Sequence, residues 1–158
     1  LKYRPSSFES VIGQKQITKT LENSIKEKKI PSAILFCGPR GVGKTSCARI
    51  FAREINNFDY SDDLSFNIFE LDAASNNKVE DIRDLIDKVR IPPQSGKYKV
   101  YIIDEVHMLS KNAENSFLKT LEEPPPHIVF ILATTEKNKI LPTILSRCQI
   151  YDLSLIHI

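Results

Sequence analysis

"AILFCGPRGVGKTSCARIFAREI", residues 33–55, changes its hydrophobic period partway along. Residues 33–37 are a continuous apolar run, which suits a strand buried on both faces. From Lys44 the apolar residues Cys47, Ile50, Phe51 and Ile55 return at helical spacing. Between strand and helix lies "GPRGVGKT" (38–45), a full match to G-x-x-x-x-G-K-[ST] in the context that gives that pattern meaning. Gly38, Gly41 and Gly43 let a backbone wrap closely around a polyphosphate. Loop amides and the positive helix end then face the anion. Lys44 is placed to reach the β- and γ-phosphates, and the Thr45 hydroxyl to coordinate Mg²⁺. Pro39, Arg40, Val42 and Ser46 complete the expected contacts of this loop.

The pattern continues outward on both sides. Residues 14–28 carry Ile17, Leu21 and Ile25 on one helical stripe. "FNIFEL" (66–71), "KVYIID" (99–104) and "IVFILAT" (128–134) read as further strands, and "CQIYDL" (148–153) as a fifth. "SNNKVEDIRDLIDKVR" (75–90) opens on capping residues and places Val79, Ile82, Ile86 and Val89 on one face. Residues 111–122 form another helix, stopped by Pro124 to Pro126. Strands alternate with helices, and apolar runs rather than alternation mark the strands. The expected fold is therefore a three-layer αβα domain, with a parallel five-stranded sheet covered on both faces.

Composition bounds the alternatives. The chain has 158 residues, enough for one domain with a core, and its 41% hydrophobic and 27% charged content is ordinary for a soluble protein. A net charge of +2 argues neither for nor against nucleic acid. No apolar run approaches the ~18 residues of a membrane span. No signal peptide is visible, so the cytoplasm is the default expectation. Cys37, Cys47 and Cys148 have neither disulfide nor zinc spacing and read as small buried thiols.

Two more segments carry chemistry. "VYIIDE" (100–105) is an apolar strand ending in two carboxylates. Asp104 at its tip would hold Mg²⁺ through water, and Glu105 would orient and polarise an attacking water. "LATTE" (132–136) ends the next strand with two hydroxyls at the same sheet edge, Thr135 the first candidate to sense a γ-phosphate and Thr134 the second. Arg147, in "ILPTILSRCQIYD", interrupts an apolar stretch, and no Asp or Glu lies between Lys137 and Tyr151. It is either a plain surface residue or finds its anion elsewhere.

With these segments in view, the chain resembles the AAA+ ATPases, and within them the gamma/tau clamp-loader family of bacterial DNA polymerase III. The resemblance runs from about Lys2 to Asp152 and rests on "KYRP", "VIGQ", "GPRGVGKTS", "LDAASNN", "VEDIRDLIDKVR", "YIIDEVHMLS", "FLKTLEEPP" and "FILATTEKNKILPTILSRC". It implies that Arg147, in "SRC", is an arginine finger for ATP on a neighbouring subunit, and that Tyr3, Arg4, Pro5, Val11, Ile12 and Gly13 surround the adenine and ribose. It also implies Mg²⁺-dependent hydrolysis of ATP within a hetero-oligomeric ring or spiral. The implied partners are other clamp-loader subunits, a sliding clamp, primed DNA gripped mainly by its phosphates, and a polymerase core through regions outside this chain. Nothing in these residues suggests nucleotidyl transfer.

The chain departs from the family pattern in three places. The interval "INNFDYSDDLSFN" has no cysteine where many members carry a four-cysteine zinc module, so no zinc is expected. The family continues into a helical lid, which is expected to lie beyond the residues of this chain. "LSLIHI" does not resemble the family's continuation, so residues 1–153 are expected to be the ATPase core and 154–158 a truncated tail. Two rivals share the nucleotide site: another AAA+ motor such as a branch-migration helicase, disfavoured by "LEEPP" and "SRC", and a non-catalytic assembly subunit, disfavoured by the presence of Lys44, Thr45, Asp104 and Glu105.

Overall fold

A computed structural model of the chain describes residues 15–56, 67–74, 84–85, 87–88, 91, 93 and 98–153. Its elements are α1 (Lys15–Lys26), β1 (Ala33–Cys37), α2 (Lys44–Asn56), β2 (Ile68–Asp72), β3 (Lys99–Asp104), α3 (Lys111–Glu122), β4 (Ile128–Thr134), α4 (Pro142–Leu145) and β5 (Gln149–Asp152). The strands form one sheet in the order β2-β3-β4-β1-β5, and every neighbouring pair is parallel. The expected strands and sheet type are thus present, with ends displaced by one or two residues. Of the helix expected over 75–90, residues 84, 85, 87 and 88 are helical. The rest of that segment, the polar stretch after Asn56 and residues 154–158 lie outside the described residues.

Strand alternation sorts the core into two layers. Leu35, Tyr101, Ile103, Phe130 and Leu132 face α3 and α4, packing with Ala113, Phe117, Leu121 and Ile144. Ile34, Phe36, Ile102, Val129 and Ile131 face the other way, onto Leu21 of α1 and onto Cys47, Ile50, Phe51 and Ile55 of α2. β1 and β4 are buried at every position, which is why they read as unbroken apolar runs. Phe117 meets Phe130 edge to face, with ring centroids 5.0 Å apart. Cys37 and Cys47 are buried and Cys148 is half-buried; all three are free thiols.

Two features escaped the sequence reading. α4 is a single turn opened by Pro142, too short to show a period. Lys99 is a buried cation at the start of β3. Its ammonium donates to the carbonyls of Lys88 (2.7 Å) and Ile91 (3.3 Å), closing the end of the helical segment before it. Burial pulls its pKa down. Among the described residues no helix is long and apolar enough to cross a membrane.

Candidate functional site

All five strands run the same way, so their C-terminal ends share one edge of the sheet. β1, whose exit carries the glycine loop, lies between β4 and β5, while β2, the next strand in the chain, lies at the far edge. Such a reversal of direction opens a crevice beyond the strand ends, where open α/β sheets bind ligands. A cavity of about 710 Å³ occupies this place, walled by the loop residues Arg40, Gly41 and Gly43 to Ser46, by Arg49, and by Asp72, Asp104, Glu105 and Thr135.

The loop is held from below and open from above. Gly38 has φ +153°, and a Cβ there would stand 2.6 Å from the Leu153 carbonyl oxygen, so this glycine is required by close packing against the end of β5. Gly43 has φ +93°, and a Cβ there would meet open space. Its constraint is conformational alone: it turns the backbone into α2. Lys44 is 8% exposed, and its ammonium donates to the carbonyls of Gly38 (2.7 Å) and Pro39 (2.8 Å). Burial lowers its pKa, and the Glu105 and Asp104 carboxylates oppose that shift.

The acidic wall faces this lysine. Asp104 accepts the Glu105 N–H at 3.0 Å, and Asp72, at the tip of the adjacent strand, accepts the Ala74 N–H at 2.9 Å. Burial raises the Asp104 pKa, and the neighbouring Glu105 and Asp72 charges add to the rise. Glu105 has left the strand and stands in the left-handed region at φ 52°, a position that costs a non-glycine residue about 1–3 kcal/mol. Its carboxylate accepts both the Thr135 N–H and the Thr135 hydroxyl, each at 3.2 Å.

Of the two threonines, Thr135 enters the cavity and Thr134 does not. Thr134 is fully buried, and its hydroxyl oxygen sits 2.8 Å from His107 Nδ1 while accepting the Glu136 N–H at 2.9 Å. Thr134 therefore has no route to a ligand, and the second candidate for the sensing role falls away. His107 went unnoticed in the sequence, since its partner is 27 residues away. Asp72 was also missed. A signal for it existed: β2 ends in an acid just as β3 does, and parallel strands end together. Arg49 was missed too; it grips Glu70 of β2 through two bonds of 2.8 Å on the cavity wall.

Arg147 lies away from this cavity. Its guanidinium donates to Glu122, at the end of α3, at 3.2 Å. The anion absent from its own stretch is thus supplied within the chain, from 25 residues upstream. The expected adenine and ribose contacts at Tyr3, Arg4, Pro5, Val11, Ile12 and Gly13 lie outside the described residues.

The site's chemistry suits a magnesium-bound triphosphate. One buried lysine and a helix N-terminus face an open space, with the carboxylate of Asp104, whose ionised form burial disfavours, beside them. Thr45 and Asp104 supply hard oxygen donors of the kind magnesium takes.

Comparison with known proteins agrees with this arrangement. Residues 13–157 match the protein family described as DNA polymerase III, delta subunit. The chain belongs to this family. It is 53% identical to DNA polymerase III subunit tau of Bacillus subtilis over 95% of its own length, covering 29% of that protein. It is 46% identical to subunit tau of Escherichia coli over 96% of its length, covering 26% of that protein. The chain therefore spans little more than a quarter of these relatives. A gamma-subunit-related DNA polymerase III protein of Thermotoga maritima superposes with a TM-score of 0.71 at 28% identity, covering 89% of this chain and 46% of that one. The RuvB Holliday junction branch migration motor of the same organism superposes with a TM-score of 0.73 at 26% identity, covering 96% and 48%. The resemblance to gamma/tau subunits read from the sequence is borne out.

Proposed function

We propose that this chain is the nucleotide-hydrolysing core of a clamp-loader motor subunit, which uses ATP to place a ring-shaped sliding clamp on primed DNA. The observation that carries the reading is the single cavity in which the glycine loop, Lys44, Asp104, Glu105 and Thr135 meet. Loop amides and Lys44 bind the phosphates. Thr45 and Asp104 would hold magnesium, which would supply positive charge to neutralise the phosphates. Glu105 positions and polarises the attacking water, and Thr135 registers whether a γ-phosphate is present. Glu105 already accepts two bonds from Thr135, so the sensing group and the base report on each other. Tyr3, Arg4, Pro5, Val11 and Ile12 close over the base from the N-terminal side.

Arg147 serves the site of a neighbouring subunit, which makes the assembly a head-to-tail ring or spiral. ATP at the junction holds the spiral on clamp and DNA, and loss of the γ-phosphate releases both. DNA is held mainly through phosphates, so its affinity falls with salt. Residues 1–153 make up the ATPase core, acting at the cytoplasmic replisome.

RuvB superposes as closely as the gamma-related protein does, so a branch-migration motor is the second reading. The 53% identity to subunit tau favours the first. ATPase of the full-length protein, measured with and without partner subunits, clamp and primed DNA, separates them. Stimulation requiring the clamp is expected. Stimulation by a four-way junction, with indifference to the clamp, would overturn the proposal. Lys44→Ala should weaken a fluorescent ATP analogue by about 100-fold, matching two bonds to a charged group at ~1.5 kcal/mol each. Undiminished affinity would mean the loop binds something else.

A further inference from the structure

β3 and β4 are joined by backbone pairing only as far as Ile103 and Leu132. Beyond that pair each strand stays paired only to its other neighbour, β3 to β2 as far as Asp104 and β4 to β1 as far as Thr134, before the turns that carry Glu105 and Thr135. Two side-chain contacts bridge them there: Thr135 to the Glu105 carboxylate, and His107 to Thr134. His107 belongs to the single turn Val106–Met108, which is pinned to the core by the buried Val106. Thr134 is the last residue of β4 and is fully buried.

A proton count gives the His107 contact its direction. The Thr134 oxygen already accepts the Glu136 N–H, and its own hydroxyl proton, buried from water, needs an acceptor. Nδ1 of the ring, 2.8 Å away, is that acceptor, which places the imidazole proton on Nε2. The Thr134 carbonyl accepts the Gly38 N–H at 3.2 Å, and its hydroxyl oxygen is held between the Glu136 amide and the ring, so backbone and side chain at the end of β4 are both restrained. The Thr135 N–H and hydroxyl consequently point at Glu105 and the cavity.

We infer that His107 is a positioning residue for ATP hydrolysis: through Thr134 it fixes the end of β4, and so aims Thr135 at Glu105. It touches neither the cavity nor its ligand. The inference rests on the ATPase reading, and it deepens that reading by assigning the support that aligns the water-positioning acid with the phosphate-sensing hydroxyl. Small displacements of such groups are costly, about 100-fold in rate for a shift near 1 Å.

The test uses the full-length protein in its assembled complex. His107→Ala and His107→Gln should lower kcat by about 10- to 100-fold. KM and the affinity for a fluorescent ATP analogue should stay within about twofold, as for a group acting only in the transition state. His107→Asn, whose amide oxygen falls where Nδ1 stands, should recover most of the rate; Gln, which places its amide where Nε2 stands, should not. Thr134→Val should reproduce the loss, and adding His107→Ala to it should cost little more, because the two groups act as one. Wild-type kcat in His107→Ala overturns the inference. So does Asn doing no better than Gln, or a fall in nucleotide affinity parallel to the fall in rate. A wild-type complex that binds ATP and never hydrolyses it would overturn the ATPase reading itself, a result separable from all of these.

Discussion

Asp104 shares the tip of the sheet with Asp72 and Glu105, and only Lys44 offers a compensating charge among the groups that set its pKa. Its folded pKa is raised above the ordinary value of 3.8, chiefly by burial. A raised carboxylate pKa means that the folded chain keeps a proton the unfolded chain has lost. Stability from this group is present at low pH and falls as pH rises through the folded value. At neutral pH the ionised Asp104 therefore works against folding. Asp104→Asn should raise the Tm of the nucleotide-free protein at pH 7, and the gain should vanish as pH approaches 3.8 and below. With magnesium and ATP the order should reverse, since only the wild type binds the cation through a carboxylate. Thermal melts at two pH values, with and without magnesium-ATP, check both halves. Lys44, Asp104 and Glu105 were legible in the sequence because each belongs to a contiguous motif. Thr135 was ranked ahead of Thr134 there, but what buries Thr134 was not legible, because its partner is a histidine one turn beyond the neighbouring strand.

At the level of elements, the strands were readable because burial on both faces removes the polar alternation, and α2 because its buried face repeats at helical spacing. α4 and the turn at Val106–Met108 were not, because a single turn holds no period and their placement comes from tertiary contacts. The glycine loop shows a finer limit. Its sequence suggests that all three glycines serve a phosphate, yet Gly38 is also demanded by the carbonyl of Leu153 in the segment leaving β5. Gly38→Ala should destabilise the fold as well as weaken nucleotide binding. The strained φ and the 2.6 Å approach together correspond to about 1–3 kcal/mol. Urea unfolding without nucleotide measures this loss, and an unchanged midpoint would show that β5 yields freely.

For the whole molecule, the informative contact is Arg147 with Glu122. Their side chains are 38% and 46% exposed, and pairs of that kind contribute about 0–1 kcal/mol. A bond this weak orients the guanidinium without committing it, which is compatible with the proposed exchange of the carboxylate for a triphosphate on a neighbouring subunit. Arg147→Ala should leave the nucleotide affinity of the isolated protein unchanged and reduce turnover in the assembled complex by about 10³-fold or more. Steady-state ATPase before and after assembly makes the comparison, and equal turnover of mutant and wild-type complexes would end the trans-acting reading. This pair was hidden in the sequence because it joins the end of α3 to the exit of α4, which only the packed structure brings together.

The packing of Leu153 against Gly38 has a mechanical side. The Leu153 N–H donates to the Cys37 carbonyl at 2.7 Å, one residue before the loop begins. The last described segment of the chain is therefore a strut under the phosphate loop, joined to it by backbone contacts at Cys37 and Gly38. Tension or rotation applied to whatever polypeptide continues from Leu153 would arrive at the loop's first glycine within a single peptide unit. A lever attached there could tighten or slacken the grip on phosphate without moving any side chain of the cavity.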